Sequence, residues 1–260
     1  MRRKMNKKTG FIIAGIVTAF AVLVGVSLLQ KRPQEDSVDY RQYKLNVITD
    51  LASKNNYKGL DLHSVLPATD ASGNLPENIN GDKDAPVKIY EYADYPCSYC
   101  GLMNPVLNEI VEDYDGQVAV VFRSYILSYH EKNGVPAASA ANAAAIQGYW
   151  KKYKDLLFEN QDDWFYSTGA DLQEQLEEYF EEASDGKGDL AKFREDMKSE
   201  AVAKKIAFDY SIGDKLEIGG TPWIYIDGNW IENKGSDGKG LSPVEYGKKI
   251  RAVIDEKLGR

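Results

Sequence analysis

The sequence holds two cysteines, Cys97 and Cys100, two residues apart in Tyr95-Pro96-Cys97-Ser98-Tyr99-Cys100. That spacing permits three kinds of chemistry. A structural zinc site wants four ligands, usually with a second Cys or His pair at fixed spacing. The chain offers only His63 and His130, far apart and on opposite sides of the motif. A purely structural disulfide closing so short a loop removes little entropy from the unfolded chain. Thiol–disulfide exchange fits best. One thiol reacts as thiolate, and a second thiol one helical turn on can attack the mixed disulfide and release the partner.

The elements around the pair must supply that asymmetry. A β-rich run at 87–92 leads into it, and a helical pattern (Met103, Val106, Leu107, Ile110, Val111) follows. Cys97 is therefore expected at the start of a helix, where unpaired N–H groups and the positive dipole end favour thiolate over thiol. Its titration should fall below the ordinary value of about 8.5. Alternation along 87–92 puts Val87, Ile89 and Glu91 on one face and Lys88, Tyr90 and Tyr92 on the other. Glu91 thus shares a face with two apolar residues, an odd place for a carboxylate. Residues 118–122 form a second apolar strand after a helix at 100–114, so the two strands should be a parallel βαβ pair.

Composition restricts the setting. The 260 residues are 43% hydrophobic and 28% charged, enough for one large domain or two small ones. Residues 1–32 hold seven Lys/Arg and no acid, which leaves 25 basic and 40 acidic residues in 33–260, a net charge of −15. So acidic a body argues against nucleic-acid binding. Residues 11–29 are an uncharged, mostly apolar run, at about 1.5 Å per residue nearly the thickness of a hydrocarbon core of roughly 30 Å. Five positive charges precede it and two follow, so the N-terminus is expected to stay in the cytoplasm. The reading is a basic tail at 1–10, an uncleaved transmembrane anchor at 11–30 and a single-pass protein of the cytoplasmic membrane with its catalytic part outside. The rival is a cleaved signal peptide with a weak site at Gly25-Val26-Ser27. Either way the rest is exported, into a compartment where disulfides persist.

Residues 31–80 read as a tether with local structure, including some helical character at 40–52, and 68–84 as loop rich in Asn, Asp, Gly and Pro. His63 is expected at the surface without chemistry. After Phe122 the pattern turns helical for about eighty residues: 136–158, opened by an alanine-rich run, then 171–180 and 190–208, with acidic outer faces. Residues 219–226 return to strand, Asp227-Gly228 or Gly228-Asn229 supplies a hairpin turn, and Ser242-Pro243 starts a last helix running to about Leu258.

With these pieces in order, the chain resembles DsbA-like thiol–disulfide oxidoreductases of the thioredoxin superfamily. The residues that carry the resemblance are Gly81-Asp82-Lys83-Asp84-Ala85-Pro86-Val87, Glu91 through Cys100, the segment 130–150, and Gly219-Gly220-Thr221-Pro222. The resemblance implies an α/β thioredoxin fold, βαβ plus ββα around a central mixed sheet, made of 81–130 and 217–260 and interrupted by an inserted helical domain at 131–216. It implies that Thr221-Pro222 is a cis peptide bond beside the cysteines, and free backbone groups of Thr221 could then pair with an extended substrate. Glu91 matches a buried acid beneath the active site, a proton acceptor for Cys100, and His130 matches a position at the mouth of the insertion. Ser98 and Tyr99 stand where strongly oxidising relatives often carry a histidine; a hydroxyl there can still donate to sulfur. Pro96 precedes the pair. No cofactor beyond the Cys97–Cys100 disulfide is implied. The activity implied is donation of that disulfide to thiols of exported, unfolded proteins, with reoxidation by a quinone-linked membrane enzyme. A reductase or isomerase, and an anchored client-binding module without redox turnover, are the alternatives.

Overall fold

The computed structural model describes residues 40, 41 and 62–260. The basic tail, the anchor, most of the tether and most of the helical stretch at 40–52 lie outside the described residues. Among the described residues no helix is long and apolar enough to cross a membrane.

The described part is built on five strands: β1 (Asn78–Gly81), β2 (Val87–Ala93), β3 (Val118–Ser124), β4 (Trp223–Ile226) and β5 (Asn229–Trp230). Their order is β1-β3-β2-β4-β5. β2 and β3 are parallel, in register Val87↔Val118 through Ala93↔Ser124, and helix α1 (Ser98–Asp113) crosses between them. β4 runs antiparallel to β2 and β1 antiparallel to β3. The expected βαβ and ββα halves are thus present. Between them lie six helices: α2 (Glu131–Ile146), α3 (Trp150–Glu159), α4 (Gln161–Trp164), α5 (Gly169–Ala183), α6 (Leu190–Met197) and α7 (Glu200–Lys215). Helix α8 (Pro243–Leu258) ends the chain.

Local chemistry accounts for the boundaries. Ser242 caps α8 in a reciprocal box with Glu245, Pro243 occupies its first turn, and Gly259 closes it in the left-handed region (φ 70°). Asp227-Gly228, both at positive φ, form the tight turn that joins β4 to β5. One sheet face carries Val87, Ile89, Val118, Val120, Ile224 and Ile226 against Met103, Leu107 and Ile110 of α1 and Ile250 and Ile254 of α8. The two helices come close because Gly247 has no side chain; a Cβ there would meet Val106 Cγ1 at 2.5 Å. Helix α2 is the centre of the insertion. Ala137, Ala138, Ala140, Ala141, Ala143 and Ala144 are all buried, so its neighbours pack on every side.

Three sequence expectations differ from the structure. The loop expected at 68–84 contains β1. That strand is polar, Asn-Ile-Asn-Gly, and has no alternation to announce it; it forms because β3 offers a free edge and because Asn78 and Asn80 find partners in Asn142 (3.2 Å) and Asn108 (2.8 Å). The helical run 136–158 breaks at residues 147–149, with Gly148 at φ 83°. The run 190–208 breaks at Lys198-Ser199, where Ser199 caps α7 by accepting from the Val202 N–H.

Candidate active site

β2 delivers the chain to the sheet's C-terminal edge, and residues 94–96 turn it into α1 with Cys97 as N-cap. The turn is held from three sides. Tyr95 is buried between Phe122 and Phe158 (ring centroids 5.2 and 5.3 Å) and its hydroxyl accepts from Trp150 Nε1. Gln161 of α4 donates to the Tyr95 carbonyl (2.5 Å) and to the Cys97 carbonyl (3.0 Å). Pro96 is buried.

The two cysteines are free thiols in unlike surroundings: Cys97 is half-buried and Cys100 is buried completely. The Cys97 thiol is lowered to about 6. The largest cause is the hydrogen bond from the Cys100 thiol, joined by the Thr221 side chain and by the N–H groups of Cys100 and Tyr99, while burial opposes. The helix start expected from sequence thus contributes, but less than the neighbouring thiol. Cys100 is pushed well above the ordinary thiol value, first by burial, then by Cys97 and by the charge of Glu91. The Thr221–Pro222 bond is cis and brings the Thr221 carbonyl to the exposed sulfur, where it accepts from the Cys97 S–H at 3.4 Å.

Glu91 is buried at 3% exposure, and burial raises its carboxyl to about 7; Lys154 pulls it down and Cys97 pushes it up. Lys154, on α3, is itself buried against Asn104 (2.5 Å), Asn108 (3.3 Å) and Asp155 (3.2 Å). A carboxyl poised near neutrality with a buried lysine in its field can hold or release a proton beside Cys100. Ser98 is exposed. Tyr99 turns away from the sulfur, its hydroxyl donating to the Leu241 carbonyl at 2.7 Å, so its N–H rather than its OH faces Cys97. His63 packs against the Tyr225 ring at 4.5 Å. His130 Nδ1 lies 2.7 Å from Asp94 Oδ2. The structure therefore brings Cys97, Cys100, Glu91, Thr221 and Pro222 together. It adds Asp94, Lys154 and Gln161, which sequence reading passed over because polar residues in helices and turns carry no signal of where they point. Among the described residues no group of three or more His, Cys, Asp or Glu side chains could hold a metal ion.

The sulfur asymmetry sets a pH window. Lowering Cys97 stabilises the folded dithiol fully above the unfolded thiol value, and that stabilisation is lost as pH falls through about 6. Iodoacetamide labelling of the reduced chain should therefore rise with a midpoint near pH 6 and level off well before pH 8. A midpoint at the free-cysteine value of about 8.5 would show that the thiolate is not stabilised.

Residues 74–240 match the family model described as Thioredoxin. The curated relatives include the Na(+)/H(+) antiporter NhaA 3 of Salinispora tropica, 34% identical over 152 residues, which are 58% of this chain and 22% of the antiporter. The chain thus spans about a fifth of the length of that relative. The Probable disulfide bond formation protein D of Bacillus cereus is 27% identical over 156 residues, covering 57% of this chain and 69% of that protein. Among solved structures, oxidised BdbD from Bacillus subtilis matches with a TM-score of 0.58 and 21% identity, over 76% of this chain and 99% of that one, a likeness of fold. The family model covers more than half of the chain, on the same strands and helices that frame the cysteines, and the chain belongs to the thioredoxin family.

Proposed function

We propose that this thiol–disulfide oxidoreductase works outside the cytoplasm as a disulfide donor, passing the Cys97–Cys100 disulfide to thiols of exported proteins as they fold. The observation that carries the direction is the unequal pair. A half-buried Cys97 held as thiolate near neutral pH stabilises the reduced form, so the disulfide is the form with free energy to give away. A client thiolate attacks Cys97, and a second client thiol then displaces Cys97 and takes the disulfide. Client chains would find exposed aromatic surface near the sulfurs in Tyr129, which is 76% exposed. Each turnover leaves a dithiol and moves two electrons onto the protein, which a quinone-linked membrane enzyme would remove. Residues 11–30 would hold the protein at that membrane. Full-length chain that leaves the membrane fraction in alkaline carbonate would remove the anchor from this reading and leave the exchange chemistry standing.

The deciding experiment is the reduction potential of the full chain, read by tryptophan fluorescence across a glutathione series. The scale runs from about −120 mV for DsbA to about −270 mV for thioredoxin. With Cys97 lowered to about 6, between about 7 for thioredoxin and about 3.5 for DsbA, the expected value lies between the two, on the oxidising side of thioredoxin. A value near the second makes the chain a reductase. Client binding with no measurable exchange would leave an anchored binding module.

A further inference from the structure

Asp94 follows the end of β2 and opens the turn into α1, and its main chain touches both cysteines. Its carbonyl accepts from the Cys97 N–H at 3.0 Å, and its N–H donates to the Cys100 sulfur. Its side chain is buried at 1% exposure and points away from the sulfurs, toward the loop that follows β3. There Oδ2 accepts from the Leu127 N–H (3.0 Å) and is hydrogen-bonded to His130 Nδ1 (2.7 Å), while Oδ1 has no hydrogen-bond partner. Helix α2 passes close to that oxygen at Gly134, where an added Cβ would lie 3.1 Å from Oδ1, so glycine there leaves the carboxyl its place. His130 is the N-cap of α2, yet its side chain makes no capping hydrogen bond. The imidazole is committed to Asp94, and its ring is held by Tyr129 (4.4 Å) and Phe165 (5.7 Å).

We propose that His130, acting through the Asp94 carboxylate, is a positioning residue that holds the Asp94 main-chain N–H on the sulfur of Cys100, the leaving group of the exchange reaction. The step is an in-line displacement. The client thiolate attacks Cys97 Sγ and a client–Cys97 S–S bond forms. The Cys97–Cys100 bond breaks, and its electron pair departs on Cys100 Sγ as thiolate; the client sulfur is oxidised and Cys100 reduced. That thiolate is born in a fully buried site with the carboxyl of Glu91 in its field. The Asp94 N–H is a fixed donor aimed at the developing charge, the arrangement that lowers barriers in water-excluded sites. Its aim depends on the side-chain anchor, because a buried carboxylate with one orphaned oxygen keeps its place only while the other oxygen keeps its donors.

This inference rests on the exchange chemistry proposed above, and one experiment separates the two. Oxidised full-length chain is mixed with excess dithiothreitol and single-turnover reduction is followed by fluorescence. Wild-type chain that does not react would sink the exchange reading itself. With a reactive wild type, His130→Ala should slow the attack roughly tenfold or more, as expected for losing a charge-assisted hydrogen bond. His130→Asn, whose amide nitrogen can sit where Nδ1 does, should recover most of the rate. A folded His130→Ala chain that reacts at the wild-type rate overturns the inference. So does His130→Asn as slow as His130→Ala, since a merely packed ring would not be rescued by a donor. If His130→Ala fails to fold, the isosteric Asp94→Asn decides: slower attack by several-fold supports the pair, and an unchanged rate overturns it.

Discussion

Cys97→Ser brings disulfide transfer to a dithiol peptide down to the uncatalysed background, and Cys100→Ser leaves the chain trapped as a mixed disulfide with its clients. Both outcomes follow from burial. Cys100 cannot stand in for Cys97, because it is wholly enclosed and its thiolate is disfavoured by that enclosure. Cys97 stays accessible without Cys100: its thiolate attacks a client disulfide and expels one client thiolate, and with no Cys100 to attack in turn the mixed disulfide is left to the slower attack of a client thiol. Non-reducing gels after acid quenching read the trapped species, and a peptide-oxidation assay reads the loss. A Cys97→Ser chain that still oxidises the peptide would remove the pair from the mechanism. Cys100→Ala adds a finer result. Because the Cys100 thiol is the largest single influence on Cys97, the labelling midpoint should climb from about 6 toward the free-cysteine value.

Arg123→Met destabilises the fold by about 3–5 kcal/mol, the cost of leaving a buried charge without its partner. Arg123 is at 0% exposure with all its donors engaged. It reaches Glu77 (3.1 and 2.7 Å), the Tyr92 hydroxyl (2.7 Å) and the Leu62 and Ser64 carbonyls (2.7 and 2.9 Å). Lys205 on α7 pairs with Asp209 (2.5 Å) and Glu77 (3.4 Å) in the same enclosure. Burial pushes the Glu77 carboxyl up, but Lys205 and Arg123 outweigh it and hold Glu77 below its ordinary value. The cluster is neutral as a whole, so removing one member is what costs. The double substitution Arg123→Met with Glu77→Gln should lose less than the sum of the two singles. Urea or thermal unfolding checks this, the single substitution lowering Tm by roughly 10 °C; a shift of only a degree or two would mean that water reaches the cluster. The cluster also joins residues 62–77, β3 and α7, so the same substitution should loosen how the insertion sits on the sheet.

The chemistry of the site was legible in the sequence because it is local. Two cysteines three positions apart at a strand-to-helix transition must lie at a helix start, and i, i+3 spacing puts both sulfurs on one side of it. Periodicity separated the strand from the helix, and Ser242-Pro243 marked the last helix by its own capping chemistry. Strand β1 escaped because a four-residue polar strand has no periodic signature; only the edge of β3 gives it a reason to exist. The single long helix expected at 136–158 failed for a related reason, since Gly148 inside a helical composition reads as tolerated until the fold shows it in a left-handed turn.

What the sequence determined by itself, then, is the reactive pair, the helix that begins at it, the parallel βαβ frame and the helical character of the insertion, all consequences of neighbours along the chain. The helix start already marked Cys97 as the more acidic thiol, and tertiary structure decided how far the two thiols are driven apart. Cys100 donates to Cys97 and is sealed from water by packing contributed from distant segments, and no spacing rule encodes that difference in burial. It alone placed Lys154 in the field of Glu91, tied Asp94 to His130 across 36 positions, and closed four charges into the cluster of Arg123. Desolvation and hydrogen-bond direction depend on what surrounds an atom in three dimensions, and a linear pattern carries neither.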